Sequence, residues 1–463
     1  MTEKTLEADY VVVGSGAMGM AFTDVLMTET DARVVMLDRH HQPGGHWNDA
    51  YPFVRLHQPS AFYGVNSKHL GSDTIDATGW NQGLYELATG AEVCAYFDQV
   101  MQQQFLPSGR VQYFPMCEYR GGRRFRSRVA DANFEVRAGK VVDATYMNVR
   151  VPSICKPGYE VDPSVRCEPL NELPRVAHQF ERYVVVGAGK TGMDACLFLL
   201  RNGVDPDAIR WIMPRDSWLQ DRAHIQPGKA SGDPLSRYFT DQLEAIAGAK
   251  SIEDMFSRVN AAGLLLRLDD AVTPRMFRCA TVTQLELEQL RRIRNVVRLG
   301  RVKQIRPTRI LLEQGEIEIG TETLHVDCSA DGLATRPVKK VFEGDTITLQ
   351  SVRLCQQVFS AAFIAHVEHA YTDEATKNEL CAPIPHPDTD LDFLRTMLAN
   401  GLNQARWSQE PALLEWLHRS RLDAFTPDPG APTAPDELAK QLETAAAAIA
   451  NLEAFLREAE ASH

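Results

Sequence analysis

Short apolar runs of strand type and longer stretches with helical spacing follow one another in the same order twice along the chain. Tyr10–Val13 reads YVVV, a Gly-rich turn GSGAMG follows, and Met20–Glu29 (MAFTDVLMTE) carries a helical pattern before a second apolar run, ARVVML, ends at Asp38. The device returns at Tyr183–Val186, again YVVV, followed by GAGKTG, the helical MDACLFLLRNG and the strand-like IRWIM. Two strand–glycine loop–helix–strand units predict an α/β protein with two Rossmann-like dinucleotide-binding domains, a repeat at the level of domains. Between them the pattern predicts a helix around Ala91–Phe105 and strands in VQYFPMCEY, FEVRAG and KVVDAT, then a proline-containing loop region over Val151–Pro174. Beyond the second unit, Asp241–Asn260 and Thr281–Arg294 read as helices, and VKQI, RILLE, EIEIG and TLHVDCSA as strands. Thr426–Pro435 (TPDPGAPTAP) has the composition of a linker. Asp436–Ala459 reads as a helix with Leu438, Leu442, Ile449, Leu452 and Leu456 roughly along one face, to be packed on the body of the protein or on a second copy in a homodimer.

At 463 residues the chain exceeds one ordinary core, so two or three domains are expected. Its 44% hydrophobic and 24% charged residues are those of a soluble globular protein. A net charge of -12 argues against a nucleic-acid or anionic-membrane surface. No apolar run approaches the roughly 18 residues of a membrane span, and the polar, acidic start MTEKTLEADY lacks the apolar core of a signal peptide. The nine cysteines are scattered without a CxxC pair. That spacing excludes a close-set zinc site, disfavours a disulfide reductase, and leads us to expect reduced thiols in a cytoplasm.

The glycine loops carry the chemistry. In the first, Gly14 makes the tight turn, Gly16 lets the backbone approach a pyrophosphate, and Gly19 lets helix and strand pack closely. The helix start supplies free N–H groups and a positive dipole end, and Asp38 is placed to accept from ribose hydroxyls, with Arg39 beside it. The second loop, Gly187, Gly189, Lys190, Thr191 and Gly192, passes the same test except at the acid position. Its second strand ends at Met213-Pro214-Arg215, where a cation suits the 2′-phosphate of NADPH better than a bare ribose diol, unless Arg215 is simply a solvated charge.

Gly44-Gly45-His46-Trp47, shortly after Asp38, resembles the GGxW of the flavin-containing and Baeyer–Villiger group of class B flavoprotein monooxygenases. That resemblance implies FAD on the first unit, wrapped by Gly45, His46 and Trp47, and hydride delivery from NADPH on the second. It continues at Tyr51 and Pro59, a frame in which the family keeps an Asn that supports the oxygenated flavin; here that position is His57. His57 is therefore a candidate hydrogen-bond donor or acid/base near neutral pH, and otherwise a loop histidine bonded to backbone. Arg55 is a second catalytic candidate, or a phosphate or carboxylate anchor, or a surface charge. By the same resemblance Cys117 falls where the family contacts the adenine of FAD, Pro214–Trp218 is similar to its NADPH-clamping turn, and Val142–Thr145 to its ATG strand end.

One departure stands out. The family's fingerprint histidine, expected just before the second loop, is missing: Cys167 and Glu168 lie near its place. The resemblance implies an NADPH-dependent FAD monooxygenase acting on a small organic molecule and O₂ through a flavin C4a-(hydro)peroxide. An FAD/NAD(P)H oxidoreductase without oxygen insertion, such as a reductase or a single-component halogenase, and a non-catalytic flavin-binding protein stay open. The expected organisation is an FAD domain over 1–175, an inserted NAD(P)H domain over 176–323, completion of the FAD domain and substrate-pocket region over 324–425, and a linker and C-terminal helix over 426–463. TLHVDCSADGLAT resembles the strand that closes the FAD domain.

Overall fold

The computed structural model describes residues 2–227, 234–334, 336–423, 426 and 435–461. Its first sheet has six strands in the order Phe342–Glu343, Thr346–Thr348, Lys140–Asp143, Tyr10–Val13, Val34–Leu37 and Val111–Phe114. All neighbours run parallel except the first pair. Val12 lies in register between Met36 and Val142, and all three are inaccessible to solvent, as expected for strands covered on both faces. The helix Ala17–Glu29 packs against Gln357–Ala370. Every residue from Met18 to Leu26 is buried, so this helix is a core element rather than an amphipathic surface one.

The second sheet is all parallel, in the order Cys167–Pro169, Thr323–Asp327, Arg182–Val186, Ile209–Ile212 and Val296–Val297. All five strands fall in sequence between Lys140–Asp143 and Phe342–Glu343 of the first sheet. The second Rossmann-like unit is thus inserted into the first. Smaller sheets flank both units: Thr2–Glu7 with Ala132–Arg137, Arg124–Ser127 and Cys117–Gly121 beside the first, and Leu265–Leu266, Ser217–Asp221 and Met276–Val282 beside the second.

The strand inside TLHVDCSA does not close the first sheet. Thr323–Asp327 pairs residue for residue with Arg182–Val186, and Leu324 and Val326 pack into the second unit's core with Leu170 and Val185. The slot beside Lys140–Asp143 is taken by Thr346–Thr348. Two helices are also redrawn. Asp241–Asn260 divides into Pro234–Ala247 and Ile252–Ala261, the second capped by the Ser251 side chain. The segment from Thr281 stays a strand to Val282, and Thr283 with Glu286 forms a capping box that starts the helix Gln284–Leu290.

The C-terminal helix Pro435–Ala461 packs on the body of the protein: the Asn451 amide donates to the carbonyls of Ile246 (3.0 Å), Ala247 (2.9 Å) and Ala249 (3.2 Å). Leu452 is buried on that face, whereas Leu438 and Leu442 are exposed. The expected linker over 426–435 lies almost wholly outside the described residues. The expectation of reduced thiols is corrected for one pair: Cys279 and Cys355 form a disulfide, brought together across 76 residues of chain by the tertiary fold, which no local spacing reveals. No helix among the described residues is long and apolar enough to cross a membrane.

Candidate functional site

The first loop is shaped by close backbone approach. Gly14 has φ +103°, and a Cβ on Gly19 would lie 2.0 Å from the Gly14 carbonyl oxygen, so both positions demand glycine. The segment Gly44–Trp47 packs directly on this turn. The Gly44 N–H donates to the Ser15 carbonyl (3.0 Å), and a Cβ on Gly45, at φ +58°, would sit 2.9 Å from the Gly16 Cα. Trp47 is pinned by its indole N–H to the Tyr63 hydroxyl (2.8 Å), and His46 stacks on it at 5.2 Å. The helix Ala17–Glu29 begins at Gly16 with no side-chain cap, so its first N–H groups are offered to a ligand.

Asp38 closes the far side of the turn. One oxygen accepts from the Ser15 N–H (2.6 Å) and hydroxyl (3.0 Å), and the other from the His40 N–H (2.8 Å) and ring (2.8 Å). Burial alone would raise the pKa of this carboxyl, but the His40 and Ser15 hydrogen bonds outweigh it and hold the group below its ordinary value. His40 is in turn raised, chiefly by its hydrogen bond to Asp38, and its second ring nitrogen meets Asp49 at 2.8 Å. The Cys117 N–H donates to the Asp38 carbonyl (2.8 Å), which brings buried Cys117 and exposed Arg39 to the same strand ends.

The second loop repeats the geometry. Gly187 has φ +132° and would clash with the Cys328 carbonyl, at 2.4 Å, if it carried a Cβ. A Cβ on Gly192 would lie 2.1 Å from the Gly187 oxygen, which also accepts from the Trp211 indole (2.7 Å). Gly189, by contrast, faces open space, and the helix Lys190–Arg201 that follows it has no side-chain cap. Partly buried Lys190 at its start pairs with Asp194, four residues on, and Thr191 follows. Arg215 is not a free cation. It makes a bidentate pair with Asp388 (2.9 and 3.0 Å), and Arg278 approaches the same carboxylate at 3.0 Å.

The segment after GGHW bridges the units. Buried Tyr51 donates to Asp194, and Phe53 stacks on Phe198 at 4.3 Å, so Tyr51–Val54 is packed in the second unit's core. His57 follows, its backbone oxygen held by the Arg222 guanidinium (2.9 Å), which is itself buried and paired with Glu286 (3.0 Å). Burial, with Lys190 and Arg222 as neighbouring cations, pushes the His57 pKa down to about 3. His57 is therefore a neutral imidazole, which corrects the expectation of an acid/base titrating near pH 7. Its Nδ1 is buried without a hydrogen-bond partner. Lys190 of the second loop is thus within electrostatic reach of His57, whereas Arg55 is exposed and bridges to Thr89.

Sequence reasoning missed the Tyr51–Asp194–Lys190 chain, buried Arg222 and the Asp388 partner of Arg215. The i,i+4 spacing of Lys190 and Asp194 was a usable signal; nothing local marks Asp388.

Residues 12–66 match the profile described as NAD(P)-binding Rossmann-like domain. Over 421 residues the chain is 59% identical to "Uncharacterized protein Rv2000" of Mycobacterium tuberculosis, covering 91% of this chain and 78% of that protein. The same figures hold for "Uncharacterized protein Mb2023" of Mycobacterium bovis. The chain belongs to the family of these mycobacterial proteins. Among solved structures, the polycyclic ketone monooxygenase of Thermothelomyces thermophila has a TM-score of 0.51 at 11% identity, covering 97% of this chain and 89% of that one. The family member described here therefore has the fold expected from the class B resemblance.

Proposed function

We propose that the protein is an FAD- and NADPH-dependent monooxygenase of a small organic molecule. The observation that carries this reading is the meeting of the two glycine loops through one segment: GGHW lies on the first loop, and Tyr51, four residues after Trp47, donates to Asp194, the partner of Lys190 of the second. The residues present fit FAD. Gly16 and Gly45 pack backbone against backbone, which holds the GGHW segment on the turn, uncapped N–H groups offer themselves to the pyrophosphate, and buried anionic Asp38 stands at the ribose end with Arg39 and Cys117. Gly189, open to solvent and followed by an uncapped helix, offers a second phosphate site to NADPH.

Bound FAD would supply two-electron chemistry, taking hydride from NADPH and activating O₂ for transfer of one oxygen atom to the substrate. The chain's own part is placement and proton control. His57, neutral and fixed through its backbone by Arg222, presents an imidazole that can donate one hydrogen bond from its N–H and accept one at its other ring nitrogen while staying uncharged. Lys190 and Thr191 would position the nicotinamide end of NADPH. Arg215 would meet the 2′-phosphate while Asp388 keeps its guanidinium oriented.

The purified protein is expected to carry about one FAD per chain and to oxidise NADPH in preference to NADH. Arg215→Ala should narrow that preference roughly ten- to a hundredfold, the effect of one charge-assisted bidentate contact. A colourless protein that cannot be loaded with FAD, or equal use of both nucleotides by the wild type, contradicts the reading.

A further inference from the structure

A cavity lies beside the His57 segment, walled by Gln58, by the strands Ser217–Asp221 and Met276–Val282, and by the helices Pro234–Ala247 and Asp390–Trp407. Its lining is mostly apolar, with Leu235, Phe277, Phe393 and Met397, and the Cys279–Cys355 disulfide forms part of the wall. None of the described residues that line it carries a charge. The polar groups are amides and hydroxyls. Two glutamine amide oxygens among them, those of Gln242 and Gln356, are buried without a hydrogen-bond partner. Gln242 is only 1% exposed, so its oxygen is shut off from bulk solvent with no protein partner. The Tyr238 hydroxyl, also lining the cavity, already accepts from Gln220 (3.1 Å) and Gln242 (3.4 Å), which leaves its own proton to give.

We infer that this cavity takes an uncharged, largely apolar molecule whose hydroxyl or N–H group donates to the Gln242 and Gln356 oxygens. Charge is excluded by energetics: an ion brought into an apolar wall without a counter-charge loses its hydration unrecovered. Within neutral molecules the wall selects again. A group that only accepts, such as an ether or ketone oxygen, can take the Tyr238 proton but leaves both glutamine oxygens unsatisfied. A hydroxyl satisfies both kinds of partner, and the protein has already borne the desolvation cost of the groups that receive it. The inference rests on the proposed function only in calling the molecule a substrate; as a binding site the cavity stands on its own residues.

The test is calorimetric titration of the purified protein with three matched probes: 4-ethylphenol, 4-ethylanisole and 4-ethylbenzoate. The phenol is expected to bind about tenfold more tightly than its methyl ether, the worth of one net hydrogen bond, and the benzoate not to saturate. Gln242→Leu should erase most of the phenol's advantage while leaving ether binding unchanged. Because the wild-type ranking needs no variant, a Gln242→Leu protein that fails to fold does not remove the test. Equal binding of phenol and ether, preferred binding of benzoate, or no binding of any probe overturns the inference. Flavin content is read on the same sample: a yellow protein that ignores the phenol defeats the cavity assignment alone, and a flavin-free protein that binds it defeats the proposed function alone.

Discussion

His57 shows how much a residue's chemistry depends on neighbours that the sequence does not display. Its frame of Tyr51 and Pro59 marked it as a candidate, but only burial beside Lys190 and Arg222 decides that it is neutral. In the proposed function, a neutral donor at this position would stabilise developing charge without adding a fixed one. His57→Ala should therefore slow product formation with O₂ by about 10²–10³ while anaerobic NADPH oxidation is unchanged, measured by rapid mixing. Identical rates in both halves would make His57 a structural residue. A second histidine gives a prediction about stability. His325 is 2% exposed, and burial pushes its pKa from 6.5 to about 4. The folded protein then resists protonation where the unfolded chain accepts it. This contribution is fully present above about pH 6.5 and is lost as pH falls towards 4, at up to about 1.4 kcal/mol per pH unit. His386, also lowered to about 4, acts in the same direction. Thermal melts should show stability falling between pH 6.5 and 5, and His325→Gln, which can still donate to the Arg166 carbonyl, should flatten that fall. An unchanged slope in the variant would show that His325 titrates normally in the folded state.

At the level of elements, what could be read from the sequence was what backbone geometry forces. Gly14, Gly19, Gly187 and Gly192 sit where a Cβ has no room or φ is positive, so their spacing survives as a legible signal. Gly45 belongs with them, and its partner is Gly16 rather than a ligand alone. Gly45→Ala should cost about 1–3 kcal/mol of backbone strain and, by forcing the GGHW segment off the first loop, lower flavin content. Gly79→Ala is the control, since Gly79 also has positive φ, +80°, but nothing within 4 Å of the added Cβ. Equal flavin loss in both would mean that strain and not loop contact is responsible. What could not be read was which neighbour a strand chooses. Thr323–Asp327 is buried throughout although only Leu324 and Val326 in it are apolar, and only its register against Arg182–Val186 settles where it goes. The helix expected from Thr281 failed for a different reason: Thr283 and Glu286 spelled a capping box, and the start was placed two residues before it. Asp388, Gln242 and Gln356 were illegible because their roles arise from contacts far along the chain, with no period or motif to announce them.

For the whole molecule the decisive feature is how the inserted unit is tied to its host. Tyr51 and Phe53 of the first unit pack in the second unit's core, and buried Arg222 of the second unit holds the His57 carbonyl. The third tie is covalent. Cys279 belongs to the strand Met276–Val282 of the inserted part, and Cys355 precedes Gln357–Ala370, the helix that packs on Ala17–Glu29 of the first unit. A cross-link closing 76 residues removes chain entropy from the unfolded state worth about 4 kcal/mol in the loop-closure account. The hydrogen bonds described for the first glycine loop, from Gly44 to Ser15 and from Ser15 to Asp38, do not involve these cysteines. Reduction, or the double change Cys279→Ser and Cys355→Ser, should therefore lower the melting temperature and NADPH-linked turnover while leaving flavin content near that of the wild type. Thiol titration of the denatured protein checks the premise: seven reactive thiols without reductant and nine after reduction, since the remaining seven cysteines are free. Nine thiols without reductant, or a melt unmoved by reduction, would mean that the inserted unit is held by its packing alone.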